Sequence, residues 1–114
     1  MDEGVRRHLE AAEIDVADAL SRFLGNEVLL IKFLRRFPQD PNMDNLRCAM
    51  AAGEVTAAFE AAHTLKGVAG NLSMTALFHC VSPLVEDLRA GNLAAAREKL
   101  PAVEAAYAAV IAAL

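Results

Sequence analysis

His63, Lys66, Gly67 and Gly70 fall within the stretch Ala61 to Leu72, AAHTLKGVAGNL. An imidazole is a nucleophile that is largely neutral near pH 7. An ammonium group stabilises the negative charge of a phosphoryl group. Glycine in a helix interior costs roughly 1 kcal/mol relative to alanine, and this chain uses alanine freely. Two glycines just past a histidine therefore need a reason. At about 100° per residue, with His63 at zero, Lys66 falls about 60° to one side, Gly67 about 40° to the other, and Gly70 about 20° away. Thr56, Phe59 and Met74 border this stripe, while Ala58, Ala61, Leu65, Val68 and Leu72 form the opposite, core-facing side. The histidine then points outward over a bare ridge, where a bulky group can come close. Nucleophile, cation and clearance on one helical face suit acceptance of a phosphoryl group. Phe59 and Met74 would add an apolar patch around it.

The elements that position this stripe follow from caps, breakers and period. MDEGVRRHLEAA reads as a short N-terminal helix. DVADALSRFLG is a second, capped by Asp15 and stopped by Gly25. NEVLLIKFLRRF follows, capped by Asn26, with Val28, Leu29, Ile31, Phe33 and Leu34 predicted to form a broad buried face. Pro38 and Pro41 bracket a turn, and MDNLRCAMAA is a short helix ended by Gly53. The histidine helix spans about 54–72, the next about 74–90, and the last about 93–113 after Asn92. The helices near 26–37, 54–72, 74–90 and 93–113 are long enough to form a bundle, and their short connections make neighbours antiparallel. Pro83 and Pro101 predict a kink or local break in the last two. No strand pattern is present. The fold class is all-α: an antiparallel up-and-down four-helix bundle with additional short N-terminal helices, in one domain over residues 1–114.

Composition narrows the function. The formal charge is −4, and the densest basic patch is only Lys32, Arg35 and Arg36, so nucleic acid is not an expected partner. All three are read as solvated residues, and Arg35 and Arg36 alternatively as an aid in positioning an acidic partner. Aromatic residues make up 5% of the chain, with Tyr107 the single tyrosine, which is poor material for base or sugar stacking. No apolar run reaches the ~18 residues of a membrane span, and the charged N-terminus lacks a secretory apolar segment. The expectation is a soluble cytoplasmic protein with no membrane partner. Cys48 and Cys80 match no CxxC pattern and read as buried reduced thiols rather than a disulfide.

The stretch AHTLKGVAGNL, with IDVADALSRFLGNEVLLIKFLRRF before it and LVEDLRAGNLAAAREKLPAVE after it, resembles the histidine-containing phosphotransfer (HPt) domain of bacterial phosphorelays. The resemblance covers nearly the whole chain. It implies phosphorylation of His63 on Nε2, a role for Lys66 near the phosphoryl group, and clearance for the partner at Gly67. Phe59, Gly70, Ser73 and Met74 complete the expected docking surface. It implies no cofactor in this chain, and Mg²⁺ in the partner. The implied partners are response-regulator receiver domains and a hybrid sensor kinase, and the protein itself would be a monomer without ATP-dependent kinase activity. Ser73 stands where the family commonly has a third glycine, and its hydroxyl is small enough to keep the clearance and to reach the phosphoryl group. Val85 stands where some members carry a glutamine that hydrogen-bonds the imidazole, which leaves Ser82 and Glu86 as the nearby candidates for orienting it.

Three other readings compete. The dimerisation domain of a histidine kinase also presents a histidine on a bundle, but an acidic residue follows that histidine, and here Thr64 does. A metal site from His63, His79 and Cys80, with Cys48 or His8, fits no ligand spacing. A non-catalytic helical adaptor is the alternative without chemistry.

Overall fold

Four helices begin on a side chain that can accept from the first turn. Asp2 accepts from the Val5 amide, Asp15 from Asp18, Asn26 from Leu29 and Asn92 from Ala95, at 3.0–3.1 Å. Each such cap contributes about 1 kcal/mol. The computed structural model describes residues 1–114. It contains α1 (Glu3–Ala11), α2 (Val16–Arg22), α3 (Glu27–Arg36), a 3₁₀ turn (Phe37–Gln39), α4 (Asn42–Ala52), α5 (Val55–Asn71), α6 (Thr75–Arg89) and α7 (Leu93–Ala113). There is no strand, only an isolated bridge between Ile14 and Met74. Gly53 and Gly91 take left-handed φ of 70° and 75° where α4 and α6 end, a conformation a side chain would strain.

The bundle consists of α4, α5, α6 and α7, with α5 packed between α4 and α6, and α6 between α5 and α7. Side chains tie α4 to α7. Arg47 pairs with Glu104 at 2.6 Å and lies over Tyr107, whose ring meets Phe37. The central α5 buries Ala58, Ala61, Ala62, Leu65 and Ala69. Four alanines there let the flanking helices approach closely, which explains much of the chain's alanine.

The all-α bundle with short N-terminal helices agrees with the sequence reading, but its first member does not. The span 26–37 was expected in the bundle, and α4 takes that place. In α3 only Leu30 and Leu34 are fully buried, whereas Val28 is 82% exposed and Leu29 and Phe33 are also exposed. A single i, i+4 pair is a narrow seam. In α4, Met43, Leu46 and Met50 recur at helical spacing and go into the core. Of the kink or local break expected at Pro83 and Pro101, no break forms, since α6 and α7 run through both. Both prolines are exposed, so the carbonyls they leave unpaired lie on the solvent side. The cysteines are free, as expected, but neither is buried: Cys48 is exposed and Cys80 half-buried.

The N-terminal helices are fastened to the turn between α5 and α6. The Asp15 amide donates to the Ser73 carbonyl at 2.8 Å, and the Thr75 amide donates to the Glu13 carbonyl at 2.9 Å. The Thr75 hydroxyl donates to that same carbonyl at 2.7 Å. Glu13 and Ser73 both adopt left-handed backbone, φ 58° and 54°. Such residues cost roughly 1–2 kcal/mol each, which the surrounding bonds and the burial of Ile14 and Met74 offset.

Candidate functional site

The core face of α5 fixes where its other residues point. The five buried positions centre about 145° from His63, on the side toward Lys66. His63 is accordingly exposed, Lys66 is half-buried, and Gly67 lies almost opposite the core. The core face is thus rotated from the wheel reading toward Ala62 and Ala69, and Val68 is only half-buried.

The two glycines have different roles. A Cβ built on Gly67 meets nothing within 4 Å, so the surface there is open. A Cβ on Gly70 would lie 3.3–3.4 Å from the Phe78 ring. Gly70 is bare so that Phe78 of α6 can cross α5. Lys66 Nζ sits 5.7 Å from the centroid of that same ring. Phe78 thus supports the lysine at the edge of the histidine face.

His63 is held by stacking. Its ring lies 5.6 Å from that of Phe59, one turn earlier, at an interplanar angle of 15°. Arg89 of α6 places its guanidinium 4.8 Å from the Phe59 centroid and pairs with Glu86 at 3.0 Å. Neither candidate for orienting the imidazole through a hydrogen bond does so. The Ser82 hydroxyl donates to the Phe78 carbonyl at 2.6 Å, and Glu86 is occupied by Arg89. Val85 is wholly buried.

His63, Lys66, Gly67 and Gly70 line one groove of about 400 Å³. Ser73 and Met74 border it, but they are removed from the expected docking surface. Ser73 is 4% exposed and Met74 is 0% exposed, so they form its floor. The Ser73 hydroxyl is directed at Asp18, to which it donates at 2.7 Å, and not at the open groove. Asp18 and Arg22, from α2, and His79, from α6, also line the groove. The sequence reading missed the first two, because a contact across 55 residues leaves no local pattern. His8 lies apart, its Nδ1 2.9 Å from the Gly4 carbonyl of its own helix. No three His, Cys, Asp or Glu side chains gather as metal ligands.

The family model for the Hpt domain matches residues 28–113. The chain belongs to the Hpt family. No curated protein and no solved structure matches it. An Hpt domain is a phosphotransfer module of phosphorelays, not a kinase, and it exchanges phosphoryl groups with receiver domains. No helix of this Hpt domain is long and apolar enough to cross a membrane.

The stack leads to an expected result. An aromatic pair of this kind contributes about 0.5–1.5 kcal/mol. Phe59→Leu keeps the apolar volume but frees the imidazole to rotate, so phosphotransfer slows about two- to tenfold at ~1.4 kcal/mol per decade. Rapid-quench kinetics and the NMR couplings of the His63 side chain measure this. Unchanged rate and unchanged couplings would show that Phe59 does not orient the ring.

Proposed function

We propose that His63 accepts the phosphoryl group from the phosphorylated aspartate of one receiver domain and passes it to the aspartate of another. The reading is carried by one observation: an exposed imidazole, held only by an aromatic stack, beside the open surface of Gly67. The Nε2 lone pair attacks phosphorus in line, and the bond from phosphorus to the aspartyl oxygen breaks. The carboxylate leaves with that bond's electrons, and Nδ1 keeps its proton. The next receiver's carboxylate reverses the step. Lys66, supported by Phe78, lies where it can balance charge on the transferred group. The receiver supplies Mg²⁺, and this chain supplies a positioned nucleophile and a clear approach. It acts in the cytoplasm as a monomeric carrier between a hybrid sensor kinase and a response regulator.

The test is to mix the protein with a receiver carrying labelled aspartyl phosphate. Label should move to this chain in an acid-labile, alkali-stable form, the signature of phosphohistidine. A complex without transfer would make the protein an adaptor. Lys66→Ala removes one charge-assisted contact, and such contacts contribute about 1.5–3 kcal/mol. Transfer should slow at least about tenfold, with the melting temperature nearly unchanged. A wild-type rate in rapid quench would reduce Lys66 to a surface lysine.

A further inference from the structure

The groove contains a second cation, Arg22, contributed by the last residue of α2. Its placement is built from the turn beneath it. Ser73 holds α2 twice: its carbonyl accepts from the Asp15 amide, and its hydroxyl donates to Asp18 Oδ2. Asp15 in turn caps α2 by accepting from the Asp18 amide. The same Asp18 oxygen accepts from Arg22 Nε at 2.9 Å. The hydrogen bonds from Arg22 and then from Ser73 hold the Asp18 carboxyl below its usual range, so it stays ionised as the anchor. Anchoring through Nε leaves both Nη groups of the guanidinium as donors. Ser73 thereby has a use for its side chain at a φ of 54°, where glycine would be less strained.

We propose that Arg22, anchored by Asp18 and Ser73, donates its free Nη groups to the phosphoryl group on His63, as a second cation beside Lys66. This rests on His63 being the acceptor. No bond of the transfer changes at Arg22. It neutralises charge on the phosphoryl oxygens, while Asp18 is balanced by the Nε contact. A doubly charged phosphoryl group then faces two cations, one from α5 and one from α2, and the N-terminal helices take part in the chemistry.

The test compares the wild-type chain with Arg22→Ala, Arg22→Gln and Ser73→Gly, using His63→Gln as a control. Arg22→Gln keeps a donor for Asp18 and removes the charge. Two quantities are read: the maximal transfer rate from a phosphorylated receiver against receiver concentration, and the ³¹P resonance of the phosphorylated domain alone. Both Arg22 variants should lower the maximal rate about tenfold, with the half-saturating receiver concentration unchanged. The ³¹P resonance should move in both. Ser73→Gly should fall between them and wild type, since it releases the anchor but keeps the cation. If Arg22→Ala does not fold, Arg22→Gln decides. A wild-type maximal rate, an effect confined to half-saturation, or an unmoved ³¹P resonance overturns the proposal. The last two would make Arg22 a docking residue, which its place beside the neighbouring groove of Phe23, Phe33 and Val68 also permits. Label on His63→Gln would instead overturn the acceptor assignment and leave the Arg22 comparison to be read at another residue.

Discussion

Replacing His63 with glutamine should abolish phosphate uptake and leave the bundle folded. The amide has no nucleophilic lone pair to replace Nε2, so the loss is of the reaction itself. Stability changes little because the ring is exposed, and its main interaction is a stack worth about 1 kcal/mol. The sharp control is His79. It lines the same groove from α6, with its ring edge-on to Phe78, and is the only other histidine there. It stands on a helix with no glycine beside it, whereas His63 has the open surface of Gly67. His79→Gln and His8→Gln should therefore take up label normally. Label transfer from a phosphorylated receiver, read beside a thermal melt, decides the matter. Transfer that survives in His63→Gln and stops in His79→Gln would move the acceptor to α6.

Gly67→Gln should cut transfer about a hundredfold without lowering the melting temperature. In the free domain a Cβ at this position meets nothing within 4 Å, so the side chain can leave it toward open space. Glutamine is also the better helix former, by roughly 0.5–1 kcal/mol. In the complex, the new side chain stands beside the imidazole just where the receiver must approach. A displacement of about 1 Å from the reactive alignment can cost on the order of a hundredfold in rate. Gly67→Ala should lose less, because its methyl group displaces the partner less. Rapid-quench rates and melting curves for the two variants form the test. A lower melting temperature with normal transfer would mean that Gly67 serves internal packing, as Gly70 does through Phe78.

The histidine stripe could be read from the sequence because a helix converts spacing into direction by a fixed rule. That rule gave the exposure of His63 and the openness at Gly67. It could not give the reason for Gly70, because Phe78 belongs to the next helix and only packing brings it across. Nor could it rank α3 against α4. The run from Val28 to Leu34 is rich in apolar residues, but richness is not a face, and the sparser Met43, Leu46 and Met50 had the correct period. The roles of Ser73 and Met74 were misread for a related reason. Their closeness to the stripe in sequence suggested surface, while Asp18 and Ile14, far away in the chain, cover them. What orients the imidazole also depended on structure. Phe59 lay on the stripe, but whether its ring met a receiver or the histidine was a question of rotamers.

The clasp between Glu13–Asp15 and Ser73–Thr75 bears on how such a module can be inherited. The family signature begins at residue 28, yet Leu9, Ile14, Val16 and Ala19, upstream of it, are core residues. Exchanging only the span 28–113 between related proteins would separate a turn at Ser73 from the segment that satisfies its carbonyl and hydroxyl. The two segments therefore exchange as one unit: a chimera should fold best when residues 13–18 and 73–75 come from the same parent.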